Sequence, residues 1–321
     1  MSLTGKSLFI FLLKALIAAA SVYFIYFKVI SRPDFEQMVA DINHTVSKPE
    51  HLSTLALVMV LMFLNWLLET AKWKLLLLKF YPASWISCFR AVMSGVTVSI
   101  FTPNRTGEFA GRVLHLESGS RIKGALAAII GSMNQLMITI LAGGIALLFS
   151  LNNLMPGEPE LRIVLGALLV AGLSGLIIVY FRLPLLGKIL ARINAFRKLN
   201  LYTRIFSLYS ISDLMRLTIY SALRYLVFSF QFILMLQIFG IDFSYTESMR
   251  LISLIYLVMA VVPSVALSEL TVRGSVALYF LSPLTGNSAG VLAATSLLWI
   301  INLAVPALIG SLAAFYFRLT R

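Results

Sequence analysis

The sequence predicts an all-α polytopic membrane helix bundle with about six full spans and two re-entrant helical hairpins. Three observations point there. Of the 321 residues, 60% are hydrophobic and only 12% are charged, and the mean hydropathy is +0.92. The apolar residues come in long uninterrupted runs, more than a soluble domain can bury. The basic residues gather at the ends of those runs, as the positive-inside rule requires. The same clustering argues against nucleic acid as a partner, which the formal charge of +13 alone would suggest. Cys88 is the sole cysteine, and His44, His51 and His115 lack a ligand spacing, so neither a metal nor a redox cofactor is expected.

Taken in order, Leu8 to Val29 is long enough to cross about 30 Å of hydrocarbon and too long for a cleaved signal peptide, so it reads as a retained first span. Lys6 and Lys14 place the N-terminus inside. The loop from Ser31 to Glu50 carries Asp34, Glu36, Asp41 and Glu50 against Arg32 and Lys48, which suits the outer side. Leu52 to Leu68 returns inward, followed by Lys72, Lys74, Lys79 and Arg90. Trp66 and Trp73 read as belt residues at that inner interface, with Glu69 beside Lys72 there. Trp85 to Phe101 is apolar but short. Were it a crossing, Arg105, Arg112, Arg121 and Lys123 would all lie outside; a re-entrant hairpin removes the conflict.

Ile122 to Phe149 spans outward with Asn134 and Gln135 near its middle, and the loop to Glu160 has Glu158 and Glu160 but no basic residue. Leu161 to Phe181 comes back in. The connection that follows holds Arg182, Lys188, Arg192, Arg197, Lys198, Arg204 and Arg216 against Asp213 alone, the firmest inside assignment in the chain. Leu217 to Phe239 runs outward with Arg224 inside it. Arg250 to Leu281, broken at Pro263, reads as a second hairpin entering from the outer side. Ser288 to Phe317 then spans inward and leaves Arg318 and Arg321 inside. The chain is thus one integral membrane domain, residues 1–321, with both termini cytoplasmic. Halves 52–149 and 217–317 would be inverted copies, each a span, a charged hairpin and a span.

Two stretches carry the candidate chemistry. Thr102 to His115 packs Arg105, Glu108, Arg112 and His115 together, and a helix from Gly107 to Leu116 would set Glu108, Arg112 and His115 on one face. Val262 to Ser275 echoes it with Glu269 and Arg273 at the same four-residue spacing. An isolated charge at the bilayer centre costs from about 3 to more than 10 kcal/mol, so such residues have a role. Either each Glu fixes its own Arg and so the hairpin's shape, or the pairs exchange partners with a charged ligand. In the second case Arg105, Arg112 and Arg273 would fork onto phosphate while Glu108 and Glu269 took an ammonium group. On these spans Glu108 and Glu269 are the carboxylates expected at membrane depth.

Thr106 and Ser268 precede the two Glu residues as candidate N-caps, whose helix ends would add attraction for phosphate. Asn104 is a further candidate for the cavity wall, as are Asn134 and Gln135, although these two, like Gln231 and Asn302, more often bridge helices. Arg224 either lines the cavity or snorkels inward. His115 either relays protons or forms a polar end at the inner interface.

The run Thr102-Pro-Asn-Arg-Thr-Gly-Glu with Arg112 downstream resembles the N-terminal motif of the lysylphosphatidylglycerol synthase transmembrane family, the flippase-like membrane proteins. Pro263 to Glu269 is similar to that family's second motif, except that Ser264, Val265 and Leu267 stand where glycines are usual. The resemblance covers nearly the whole chain. It implies a bacterial-type plasma membrane protein in which Arg105, Glu108, Arg112 and Glu269 act in lipid translocation. The soluble aminoacyl-transferase domain of the two-part enzymes does not follow the last span, so synthesis of the lipid is not expected.

The leading expectation is a flippase-like transporter of a phospholipid or glycolipid headgroup. The alternative is a membrane-embedded transferase acting on a lipid-linked substrate, with Glu108 or Glu269 as general base. A third reading is a scaffold that docks another protein on the basic loop from Arg182 to Arg216. The candidate protein partners are a separate lipid-modifying enzyme and a second copy of the chain.

Overall fold

In the computed structural model the described residues are 48–102, 105–185, 205–262 and 266–313, with the single residues 40, 43 and 45; for 266–271 only the backbone is described. The expected first span, the centre of the basic loop (186–204), Asn104 and the C-terminal arginines lie outside them. Every regular element among the described residues is helical: α1 (Pro49–Leu77), α2 (Trp85–Ser99), α3 (Gly107–Val113), α4 (Arg121–Leu154), α5 (Pro159–Phe181), α6 (Ile211–Ile238), α7 (Tyr245–Val261), α8 (Ala266–Thr285), α9 (Ser288–Trp299) and α10 (Val305–Ala313). Five segments are long and apolar enough to cross a membrane: α1, α4 with the turn before it, α5, α6, and α9 joined to α10. They coincide with the five expected spans that fall within the described residues.

The helices are apolar outward and polar inward. On α1 Leu57, Val60, Phe63, Leu64 and Leu67 are exposed, whereas Asn65, Glu69 and Lys72 are buried. Water would reverse that pattern, and a hydrocarbon solvent requires it. α5 packs against α4 and buries only Tyr180, so it is a peripheral, lipid-facing span.

α1 and α6 form the central pair and run antiparallel. At one end Lys79, just past α1, holds Asp213 in the first turn of α6 at 2.6 Å, and Tyr209 donates to the Leu76 carbonyl at 2.9 Å. Asp213 also completes a capping box with Ser210, which fixes where α6 begins. At the other end, Lys48 and His51 at the start of α1 share a cavity wall with Gln237 and Phe239 at the end of α6. The chain then turns back twice, into α2 after α1 and into α7 after α6, from opposite ends of the pair.

These two returns are built alike. Ser84 and Ser244 cap α2 and α7 by accepting from the backbone N–H three residues on, and Arg90 and Arg250 each stand six residues after the cap. α2 packs on α10 and α7 packs on α4, each through a glycine. A Cβ on Gly310 would sit 2.0 Å from the Met93 carbonyl oxygen, and one on Gly143 would sit 2.9 Å from that of Ser253. Met93 and Ser253 are both nine residues past their caps. Small residues let backbones approach where no hydrophobic effect drives helices together.

Gly310→Ala should therefore lower the thermal midpoint in detergent by about 5 °C, consistent with overpacking of about 1–3 kcal/mol. Gly172→Ala, where a Cβ meets nothing within 4 Å, should leave it unchanged.

α2 is 15 residues, about 22 Å of helix, too short for a full crossing. It folds against α3 as a hairpin whose arms touch through glycines. A Cβ on Gly111 would lie 2.6 Å from the Gly95 Cα, and one on Gly95 would lie 2.9 Å from the Glu108 carbonyl oxygen. Between α9 and α10 the helix widens into a π turn, Ile300–Ala304. Pro306 follows it; its ring clashes with the carbonyl four residues back, at Asn302, and the extra residue in the turn relieves that clash.

Candidate functional site

The polar interior begins on α1. Asn65, Glu69 and Lys72 fall at i, i+4 and i+7 and so share one face. That face meets α6 through Ser221 and Arg224, α4 through Gln135, and the short helix α3 through Arg112.

Glu69 is the hub. Its Oε1 accepts from Arg112 Nη2 at 2.7 Å and its Oε2 from Lys72 Nζ at 2.8 Å and from Arg224 Nη1. Arg112 Nη2 also donates to Glu108 Oε1, the four-residue pair expected from the sequence. Arg224 Nε donates to Asn65 Oδ1 at 2.8 Å, and Lys72 Nζ to Ser221 Oγ at 3.4 Å. Gln135 accepts from both Arg224 and Lys72 and donates to the Ser221 carbonyl at 3.3 Å. Indole faces sit beneath the guanidinium groups, Trp73 at 5.5 Å from Arg112 and Trp66 at 5.6 Å from Arg224. Glu69, Lys72 and Arg112 are 3%, 1% and 2% exposed, so their charges interact with one another rather than with solvent. Three cations surround two carboxylates, leaving one formal positive charge.

The structure corrects several expectations. α1 does not stop at Leu68 but continues to Leu77, which carries Glu69 inward; it keeps Lys72 as its neighbour but lies in the core rather than at an interface. Glu69, which was not one of the two carboxylates expected at depth, is thus buried among the helices. Trp66 and Trp73 are buried platforms for arginine rather than belt residues.

α3 ends at Val113, where tighter bonds from His115 N–H to the Arg112 carbonyl and from Leu116 N–H to that of Val113 close the helix. His115 thus leaves the Glu108–Arg112 face, and its Nε2 lies 2.8 Å from Ser94 Oγ on α2. Thr106 makes no side-chain cap because its backbone is already helical; Thr102 Oγ1 accepts from Gly107 N–H instead, at 2.6 Å. Asn302 donates within its own helix, to Leu298. Asn134 and Gln231 do bridge helices, to Thr218 at 3.0 Å and the Val58 carbonyl at 2.9 Å. The side chains of Ser268 and Glu269 lie outside the described residues.

Beside the cluster opens a cavity of about 550 Å³. Arg224 and Gln135 form its wall with the cluster, and Arg105 and Arg273 line it as well. The two charged stretches of the sequence thus meet across one space, through Arg105 from the first and Arg273 from the second. Arg105 reaches it from a left-handed backbone conformation, φ 57°, which a residue with a Cβ adopts at a cost of about 1 kcal/mol or more. Tyr225, Phe228 and Tyr256 supply an aromatic wall.

Sequence reading missed Asn65, Glu69, Lys72 and Ser221. The spacing of the first three on one face of α1 was the available signal.

Such a bundle, apolar outside and holding a charged interior beside a cationic cavity, is a polytopic membrane protein organised around a polar site. The chain belongs to the family described as the lysylphosphatidylglycerol synthase TM region, which it matches over residues 11–310. No curated protein and no solved structure matches it.

Proposed function

We propose that this protein is a flippase-like transporter that moves a phospholipid or glycolipid headgroup across the plasma membrane, through the cavity between Arg105, Arg224 and Arg273. The observation that supports this reading is the meeting of the two charged stretches, through Arg105 and Arg273, at that cavity, in a bundle whose outer face is apolar. The family supports a lipid as the ligand.

The halves act as inverted copies. Ser84 with Ser244, Arg90 with Arg250 and Met93 with Ser253 share one offset of 160 residues, which also relates Pro103 to Pro263. The antiparallel packing of α1 and α6 supports such an inversion, in which hairpins entering from opposite sides would suit alternating access. Both termini are assigned to the cytoplasm by the basic residues near them.

The test is reconstitution of the purified protein in liposomes containing a tail-labelled phospholipid, with the outer leaflet bleached by a membrane-impermeant reductant. Bleaching should run past the outer-leaflet half within minutes. A plateau at half, equal to that of empty liposomes, would remove the transport reading, and a change in lipid mass would favour the transferase.

A further inference from the structure

Resting on that reading, we infer that the lipid enters the cavity sideways, through a doorway between α4 and the end of α7, its headgroup drawn in toward Arg224 and its acyl chains left in the bilayer. α4 has 34 residues and α7 only 17, about 50 and 25 Å of helix. The two pack where Gly143 lets α4 approach Ser253 and Leu257. One end of that contact is tied by Arg250 Nη1, which donates to Ser150 Oγ at 3.3 Å. Followed away from the tie, α7 stops at Val261 while α4 runs on. The residues that come next, Thr139, Leu136 and Gln135 on α4 and Met259 to Val262 at the end of α7, all line the cavity. The pair is closed where the glycine brings the backbones together, and it parts where α7 runs out.

The edges of this doorway face the bilayer. Leu136 is 45% exposed and Val261 73%, on the apolar outer surface of the bundle, yet both belong to the cavity lining. Inside that edge the lining turns polar. Gln135, next to Leu136, accepts from Arg224, which also donates to Asn65 and Glu69. The cavity therefore runs from an apolar rim to a guanidinium group held in fixed geometry.

A molecule that is polar at one end and fatty at the other matches that gradient along its whole length. A water-soluble ligand would leave the rim unused, and passing it would mean shedding water from polar groups at several kcal/mol each. The cavity volume of about 550 Å³ suits a group the size of a small-molecule ligand, which a headgroup is and a pair of acyl chains is not. The chains stay outside, along Leu136 and Val261.

Native mass spectrometry of the full-length protein tests the doorway without any transport step. The probes are dioleoyl phosphatidylglycerol and dioleoyl phosphatidylethanolamine, added separately in a neutral detergent, with glycerol 3-phosphate as the chain-free competitor. The wild type should keep one molecule of at least one of the two lipids at a collision energy that strips the rest, and glycerol 3-phosphate at equal concentration should not displace it. Leu136→Trp and, separately, Val261→Trp fill the doorway from its two edges and should each lower the retained fraction about tenfold. Both positions are exposed, so the melting midpoint should not change. Leu168→Trp, on the exposed face of α5, should retain lipid as the wild type does.

No lipid retained by the wild type, or the same loss in Leu168→Trp, would overturn the doorway. So would undiminished retention in both doorway variants, and displacement by glycerol 3-phosphate would put the entrance in water. If lipid is retained and is lost in the doorway variants, but wild-type liposomes show no translocation, the doorway stands and the transport reading fails.

Discussion

Replacing Glu69 by glutamine is expected to destabilise the folded protein by about 3–5 kcal/mol, more than the overpacking expected of Gly310→Ala. The wild-type cluster sets three cations against two carboxylates, and the buried carboxylate is the one that touches all three. Glutamine keeps the shape and one acceptor but leaves Lys72, Arg112 and Arg224 facing Glu108 alone, with two uncompensated positive charges in a cluster where Lys72 and Arg112 are buried. Charges buried without partners cost several kcal/mol each.

The measurement is the fraction that stays monodisperse in detergent after stepwise heating. Most of the Glu69→Gln protein should be lost at a temperature that leaves the wild type intact. Adding Lys72→Met removes one of the stranded cations and fills its volume, so the double variant should recover at least about half of the loss, a coupling expected of groups in direct contact. Wild-type stability in Glu69→Gln would mean that the cluster does not hold these helices together.

Arg224→Gln should do the reverse, leaving the fold intact while translocation drops at least about tenfold. Removing Arg224 brings the cluster to formal balance, with Lys72 and Arg112 against Glu69 and Glu108, so no buried charge is stranded. What is lost is the donor fork on the cavity wall, a charge-assisted contact worth about 1.5–3 kcal/mol. The check is the initial rate of headgroup translocation at several mole fractions of labelled lipid, beside the melting midpoint of the same preparation. A rate unchanged from the wild type would take Arg224 out of the ligand's path. Transport would then have to run by a route other than this cavity.

How far the sequence carries differs between the spans and the site. The positions of α4, α5, α6 and α9 with α10 follow from run length and charge placement, because partition into hydrocarbon is a sum over neighbouring residues. The breaks expected after Phe101 and at Pro263 follow from the same counting, and α2 and α7 end within two residues of them, at Ser99 and Val261. The end of α1 was misplaced at Leu68 because Glu69, Lys72 and Lys74 end a hydropathy run, although α1 runs on to Leu77. Charge pairing across helices satisfies there what local counting treats as a penalty.

The sequence by itself determined that this is a membrane helix bundle, where most of its spans fall, and which two stretches bring charge into it. Only the tertiary structure decided that Glu69 rather than Glu108 is the hub, that His115 turns to Ser94, and that Arg105 and Arg273 face one cavity. The physical reason is range. Hydropathy and helix spacing act over a few residues of one chain segment. The partner of a buried charge is chosen by which helices cross, and those crossings are set by close glycine contacts such as Gly95 with Gly111 and Gly310 with Met93, far apart in sequence and silent in composition.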